Sequence, residues 1–209
     1  MNGSDDVLSA SVREFAAAAA AKTPTPGGGS VAGVVGALGV ALGEMSLNFT
    51  KGKKKYAEHE DYYAHLSRRL ARARGMFQDL VGDDVQAYRL YQAATRREDG
   101  PEKDEAVQLA TAAAIDVPRQ AAKLAVAVLE DLKQFAPRSN PWLITDLLAA
   151  ATLAVAAVRL SDYNVRINVP QVADRQQAGE VRQSSADDLA RAEKLLAEIE
   201  SAAAEHLPA

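Results

Sequence analysis

The chain has 209 residues and a formal net charge of −4, so we expect one domain over residues 1–209 without the broad positive surface that nucleic-acid binding requires. Hydrophobic residues make up 48% of the chain but aromatic residues only 5%, and this alanine-, leucine- and valine-rich composition predicts an all-α fold. Cysteine is absent, which excludes disulfide bonds, a cysteine zinc site and a thiolate nucleophile.

The amino-terminal half of the chain predicts three helical regions. The first helix is predicted over residues 5–22, with Ser4 as its N-cap. The segment TPTPGGG ends it, because proline disfavours helical torsions in the residue before it. A second helix is predicted over residues 29–48, followed by the basic loop TKGKKKY. Residues 57–97 form one long helix or two, kinked at their glycines.

The carboxy-terminal half predicts at least three more helices. The segment EDGPEKDE is a loop, and residues 103–135 resume helical periodicity, bent or split at Pro118. A helix is predicted over residues 142–163, the segment NVRINVP is extended, and residues 174–206 form a charged terminal helix. The expected fold is an antiparallel bundle of six or seven helices.

The two most apolar runs, residues 31–43 and 147–158, are shorter than the ~20 residues that a bilayer requires. The amino-terminal segment has acidic residues and no apolar core, unlike a secretory signal or a transit peptide. The sequence therefore predicts a cytoplasmic protein without membrane contact, and the apolar runs are interpreted as core helices.

Glycines recur along one face of the second helix: Gly29, Gly33, Gly36 and Gly43, with Gly39 at its edge. Each interior glycine costs about 1 kcal/mol relative to alanine, so something must lie close to this backbone. One interpretation is a second helix, either in a tight hairpin or across a self-complementary dimer face. A ligand is favoured more at Gly27, Gly28 and Gly29, where free N–H groups attract an anion or a polarised oxygen.

The lysines Lys53 and Lys54, ahead of Tyr56, form either a solvated loop or an anion site. The two ends of the second helix lie about 30 Å apart at ~1.5 Å per residue, so one small ligand cannot touch Gly28 and Lys54 of the same chain. A two-fold partner could bring the opposite end close.

Acidic and amide side chains supply further candidates. Asp146, in the first turn of an apolar helix, either interacts with the helix dipole or takes part in proton transfer. Asn164 and Asn168 either cap a turn or bind a ligand. The three histidines form no metal-binding or hydrolase pattern, and we predict no metal site.

The segments TPTPGGGSVAGVVGALGVAL, TKGKKKY, DDVQAY, IDVPRQAA, TDLLAAA and NVRIN, in this order, resemble the cyclodeaminase/cyclohydrolase family. This family includes bacterial methenyltetrahydrofolate cyclohydrolases and the cyclodeaminase domain of formiminotransferase-cyclodeaminase. The resemblance implies an all-helical fold, a homodimer or dimer-based oligomer, no metal or cofactor beyond the folate substrate, and folate clefts near the subunit interface.

Matching motifs also imply site residues. Folate contacts are implied for Pro26, Gly27, Gly28, Gly29, Ser30, Lys53, Lys54 and Tyr56, with the lysines supplied by a partner. Asp84 and Asp116 would lie in or under that site. The reacting end would be faced by Asp146, Asn140, Asn164 and Asn168.

The implied reaction is hydrolysis of 5,10-methenyltetrahydrofolate to 10-formyltetrahydrofolate. The substrate carries an amidinium cation, which the Asp146 carboxylate would stabilise while taking a proton from the attacking water. Two alternatives stay open: cyclodeamination of 5-formiminotetrahydrofolate with release of ammonia, and a non-catalytic folate-binding helical dimer. In the latter, Trp142 would block the chemistry, because relatives usually have asparagine there.

Overall fold

Six α-helices make up most of the computed structural model, which describes residues 7–206. They are α1 (Val12–Ala20), α2 (Gly28–Asn48), α3 (Glu60–Thr95), α4 (Pro101–Phe135), α5 (Ile144–Asn168) and α6 (Arg175–Ala203). Short 3₁₀ turns join several of them, and the described residues contain no strand. The predicted all-α bundle of six or seven helices is confirmed.

The first helix is shorter than predicted because a strong cap lies inside the predicted range. Ser11 Oγ accepts a hydrogen bond from Glu14 N at 3.3 Å, and Glu14 Oε2 accepts one from Ser11 N at 2.8 Å. This capping box starts α1 at Val12. A 3₁₀ turn, Val7–Ser9, precedes it, and the predicted N-cap Ser4 lies outside the described residues.

Glycine and proline interrupt the middle helices less than predicted. α3 runs unbroken through Gly75 and Gly82, and α4 runs unbroken through Pro118. α4 also begins inside the predicted loop, at Pro101, because proline is favoured in the first turn of a helix. The residue before it, Gly100, has a φ of 155°, which residues with a side chain rarely adopt.

α5 extends further than predicted, and the prediction of an extended segment over residues 164–170 is wrong. The segment is the last turn of α5 followed by a 3₁₀ turn, Val169–Gln171. Pro170 stands at the start of the 3₁₀ turn Val169–Gln171, where no backbone N–H donor is needed. As a result, Asn164 and Asn168 are one helical turn apart and share a face.

The glycines of α2 mark where other helices approach its backbone. A Cβ on Gly36 would overlap the ring of Phe77 in α3, and a Cβ on Gly39 would lie 3.1 Å from the Ala150 carbonyl oxygen in α5. The close helix pairing is therefore confirmed within one chain. The alternative of a dimer face is wrong for these glycines, because they are buried against their own chain.

One side of α2 carries exposed apolar residues. α2 packs mainly on α3 and α5, whereas α6 packs on α4 and α5. Leu38, Met45 and Phe49 are 55%, 40% and 52% exposed. Their helical spacing aligns them in one row, which we name the α2 stripe. In addition, α1 buries none of its residues.

Two stretches are long and apolar enough to cross a membrane by length and composition, Gly28–Asn48 and Pro141–Gln171. Both are longer than the apolar runs seen in the sequence. Within the fold, 50% and 44% of their most apolar windows are buried. Core helices of soluble proteins meet the same criteria, and both stretches contribute to the core of this bundle.

Gly36→Ala tests the approach of α3 to α2, with Gly82→Ala as its matched control. Gly36→Ala should lower the free energy of unfolding by about 1 to 3 kcal/mol, because the added methyl group overlaps the Phe77 ring. Gly82→Ala should raise it by about 0.5 to 1 kcal/mol, because nothing lies within 4 Å of its methyl group. Urea unfolding measures both changes, and equal stabilisation by the two variants would contradict this packing.

Candidate active site

A cavity of about 240 Å³ opens between α3, α4 and α5, beside the first turn of α2. It is lined by Asp84, Ala87, Tyr88, Tyr91, Ala114, Val117, Asn164, Ile167 and Asn168. A Cβ on Gly28 would lie 3.6 Å from Asn164 Nδ2, so the start of α2 adjoins this wall. Pro26 is buried just before α2, and Gly27 is its N-cap. Three predicted site residues, Asp84, Asn164 and Asn168, therefore meet in one cavity.

Asp84 joins α3 to the first turn of α2. Its Oδ2 accepts a hydrogen bond from Ser30 Oγ at 2.7 Å, and Ser30 is fully buried. A Cβ on Gly29 would overlap the Asp84 carboxyl group in its present position, so a larger residue there would displace this carboxyl group. The positive end of the helix dipole stabilises a carboxylate in this position. A carboxylate of the same chain therefore lies beside the glycine-rich helix start where a ligand is predicted.

Asn168 offers only its side-chain oxygen to a ligand, whereas Asn164 offers its oxygen and one N–H. Asn164 Nδ2 donates to the Leu160 carbonyl at 2.8 Å. Asn168 Nδ2 donates to the Asn164 carbonyl at 2.9 Å and to the Ala114 carbonyl at 3.3 Å. An amide nitrogen has two donors, so both donors of Asn168 are in use. The Oδ1 atoms remain as acceptors.

The cavity therefore favours a ligand that donates hydrogen bonds or carries positive charge. Its polar wall combines the Asp84 carboxylate and the two asparagine oxygens with one Asn164 N–H and the Tyr88 hydroxyl, and no lysine or arginine is among the described lining residues. Tyr91 donates its hydroxyl hydrogen to Gln171 Oε1 at 2.6 Å, which leaves its ring facing the cavity. Such a wall stabilises a cation and repels an anion.

The opposite end of α2 holds a second group of predicted residues. Asn140 N donates to Thr50 Oγ1 at 3.0 Å, and Asn140 Nδ2 donates to the Phe49 carbonyl at 3.2 Å. Asn140 Oδ1 accepts from Trp142 N at 3.3 Å. Asn140 is buried, and both its side-chain nitrogen and its side-chain oxygen are hydrogen-bonded. It therefore fastens the segment before α5 to the end of α2. Within one chain, the expectation that it faces the reacting end with Asn164 is not met.

The basic segment lies at this same end. Lys53 and Lys54 are exposed, and Tyr56 is half-buried beneath Lys55, whose Nζ lies 5.3 Å from the ring centre. Nearby, Tyr63 donates to the Arg138 carbonyl at 2.8 Å, and burial raises the pKa of Tyr63 to about 12. These contacts join the start of α3 to the segment before α5.

Asp146 lies far from the asparagines with which it was predicted to act. It is half-buried in the first turn of α5, and the described residues give its carboxylate no hydrogen-bond or ion-pair partner. Asn164 follows 18 positions later, which corresponds to about 27 Å along a helix. Asp146 and Asn164 therefore cannot contact one small substrate within the same chain.

Asp116 also lies outside the cavity, which corrects its predicted place in or under the site. It is exposed on α4 and accepts a hydrogen bond from Arg119 Nη1 at 3.4 Å. It lines a separate cavity of about 300 Å³ beside α6. The reason is helical geometry, because Ala114 and Val117 face the first cavity and Asp116 between them points elsewhere.

Among the lining residues that were not predicted from the sequence, Tyr88 and Tyr91 are the two aromatic ones. Both follow Asp84 at helical spacing, so the i, i+4, i+7 pattern within DDVQAYRLY was the signal that could have identified them. Their aromatic rings give the cavity flat apolar walls that suit a planar heterocycle.

The family follows from comparison with known proteins. A model of the formiminotransferase-cyclodeaminase family matches residues 11–187. The chain belongs to the formiminotransferase-cyclodeaminase family. The methenyltetrahydrofolate cyclohydrolase of Methylorubrum extorquens is 33% identical over 172 residues, which cover 78% of this chain and 81% of that protein.

Other members of the formiminotransferase-cyclodeaminase family are similar in sequence or structure. The formimidoyltransferase-cyclodeaminase of Rattus norvegicus is 29% identical over 80% of this chain, which corresponds to only 32% of that longer protein. The crystal structure of formiminotetrahydrofolate cyclodeaminase from Thermotoga maritima matches with a TM-score of 0.88 and 28% identity. That match covers 95% of this chain and 98% of the solved chain, so the fold is shared almost throughout.

Gly29→Ala and Asp84→Ala should show strong coupling in a double-mutant cycle. Gly29→Ala alone should lower the free energy of unfolding by about 1 to 3 kcal/mol, because its methyl group overlaps the carboxyl group of Asp84. Removing that carboxyl group in the double variant should relieve most of this loss. Gly28→Ala is the control, since its methyl group makes ordinary contacts at 3.6 Å. Additive effects of Gly29→Ala and Asp84→Ala in urea unfolding would disprove the contact.

Proposed function

We propose that this chain hydrolyses 5,10-methenyltetrahydrofolate to 10-formyltetrahydrofolate in the cavity beside the start of α2. The observation that carries the proposal is the acceptor-rich polar wall, without a lysine or arginine among its described lining residues, that Asp84, Asn164 and Asn168 form. The substrate's reactive carbon belongs to an amidinium cation, which such a wall attracts. The similarity to a methenyltetrahydrofolate cyclohydrolase supports the same reaction.

The reaction needs positioned water and a base. Water adds to the carbon that bridges N5 and N10 and loses one proton to the base, which leaves a neutral hydroxyl adduct. N5 then takes a proton from the base and its bond to the carbon breaks, while the hydroxyl proton of the adduct leaves to solvent as the formyl carbonyl forms on N10. Positive charge develops on the attacking water as its new bond forms. The oxygens of Asn164 and Asn168 would accept its hydrogens and stabilise that charge. The rings of Tyr88 and Tyr91 would pack against the pterin.

We propose that Asp146 of the partner subunit is the base in a homodimer. Within one chain Asp146 is about 27 Å from Asn164, but two antiparallel copies of α2 would bring opposite ends together. The α2 stripe gives such a dimer an apolar contact. Charge supports the same arrangement, because Asp83 and Asp84 lie at the cavity end and the lysine segment at the other.

In this dimer, Lys53 and Lys54 of the partner subunit would lie near the mouth of the cavity. Both side chains are exposed and no ion pair engages them within the described part of the chain. They would attract the carboxylates of the folate glutamate tail. The reaction as proposed needs water and the folate substrate, and we propose that it takes place in the cytoplasm.

Two other functions are favoured by specific observations. The likeness to a formiminotetrahydrofolate cyclodeaminase structure favours cyclodeamination with release of ammonia. Trp142 is 90% exposed just before α5, near Asp146. If its bulk blocks the chemistry there, the chain is a folate-binding dimer without turnover. Product analysis separates all three functions.

The purified protein should remove the absorbance of methenyltetrahydrofolate faster than buffer does. Asn168→Leu and Asp146→Asn should each lower kcat/KM by about 100-fold, since one removes an acceptor for the attacking water and the other removes the base. Asp187→Asn, an exposed carboxylate on α6, is the matched control and should retain wild-type turnover.

Ammonia release from 5-formiminotetrahydrofolate, measured in parallel, distinguishes the cyclodeaminase. Tight binding of tetrahydrofolate without either product would select the non-catalytic function. Wild-type turnover by Asn168→Leu would contradict the site itself, whereas wild-type turnover by Asp146→Asn alone would contradict only the identity of the base.

A further inference from the structure

The connection between α5 and α6, residues 169–173, is fastened by a single glutamine of α4. Gln108 Nε2 donates to the Gln171 carbonyl at 3.1 Å, and Gln108 Oε1 accepts from Ala173 N at 3.1 Å. One side-chain amide thus binds two backbone groups two residues apart, as a neighbouring strand would. We name residues 169–173 the α5–α6 strap.

The strap is also joined to α3 and to the core. Gln171 Oε1 accepts from the Tyr91 hydroxyl at 2.6 Å, and Tyr91 lines the candidate active site. At the other end of the strap, Val169 is fully buried in a small apolar cluster with Ile115 and Val165. The strap therefore connects α3, α4 and α5 at the edge of the cavity.

The strap begins directly after Asn168, which lines the cavity and whose Oδ1 atom has no hydrogen-bond partner within the described residues. α4 holds this region twice, once where the Ala114 carbonyl accepts from Asn168 and once through Gln108. These two α4 residues are six positions apart, or about 9 Å along the helix. Loss of the second attachment would leave residues 171–173 held mainly by the Tyr91 hydroxyl and by the packing of Val169, so that Asn168 and Tyr91 could shift slightly.

We propose that Gln108 is a positioning residue for the active site. Through the strap, it fixes the acceptor oxygen of Asn168 and the ring of Tyr91, although its own side chain does not line that cavity. This role rests on the proposed hydrolysis, because it concerns the placement of the acceptor for the attacking water. Misplacement of such a group by about 1 Å can lower a rate up to ~100-fold.

A positioning role can be separated from a purely structural role. Gln108 and Gln171 are both exposed, and exposed hydrogen bonds contribute little to global stability. Removing the amide of Gln108 should therefore slow the reaction without unfolding the protein. Substrate affinity should change little, because the other cavity walls stay in place.

The test compares Gln108→Leu, Gln108→Glu and Tyr91→Phe with the full-length wild type in the methenyltetrahydrofolate assay. Gln108→Leu should lower kcat about tenfold, with KM within about twofold and an unchanged thermal midpoint by circular dichroism. Gln108→Glu keeps the acceptor for Ala173 N and should recover part of the loss. Tyr91→Phe keeps the ring but frees Gln171, and should lower kcat less than Gln108→Leu.

Gln183→Leu is the matched control, because it removes an exposed amide that bonds Asp187 on α6. If the kcat of Gln108→Leu equals that of this control, the positioning role is overturned while the proposed function stands. The positioning role is also overturned if the loss of kcat in Gln108→Leu parallels a fall in its thermal midpoint and Gln108→Glu recovers none of that loss. An inactive wild type would overturn the proposed function and this role with it.

Discussion

The close approach of α3 and α5 to the bare backbone of α2 is the constraint on which the rest of the structure depends. A Cβ on Gly36 would overlap the buried Phe77 ring of α3 and one on Gly39 would crowd the Ala150 carbonyl of α5, so larger side chains there would push these helices away from α2. The same approach places Asp84 and Asn164 on either side of the first turn of α2. The wall of the candidate active site is therefore a direct result of helix packing.

Much of this arrangement could be predicted from local patterns. The glycine spacing indicated a groove on α2, because helical periodicity converts spacing directly into a face. The identity of the neighbour could not be predicted, since a hairpin helix and a second subunit impose the same local pattern. Likewise, the segment NVRINVP was predicted to be extended, but it continues α5 into a 3₁₀ turn in which Val169 is buried.

The sequence indicated which residues belong to the site better than it indicated how far apart they lie in the fold. Asp84, Asn164 and Asn168 could be named from sequence motifs, and they do line one cavity. Asp146 could not be placed relative to them, because a long helix converts 18 positions into about 27 Å. The acceptor character of the two asparagines was also hidden, since it depends on which backbone carbonyls engage their amide hydrogens.

These distances lead to the central claim that each active site combines the cavity of one subunit with Asp146 of the partner subunit. The most direct measurement mixes Asn168→Leu and Asp146→Asn proteins, each expected to have little activity alone and carrying different affinity tags, under conditions that exchange subunits. Random exchange makes about half of the dimers mixed, each with one intact site, so activity should recover to about one quarter of wild type. Mixed dimers that co-purify through both tags and remain inactive would contradict the account.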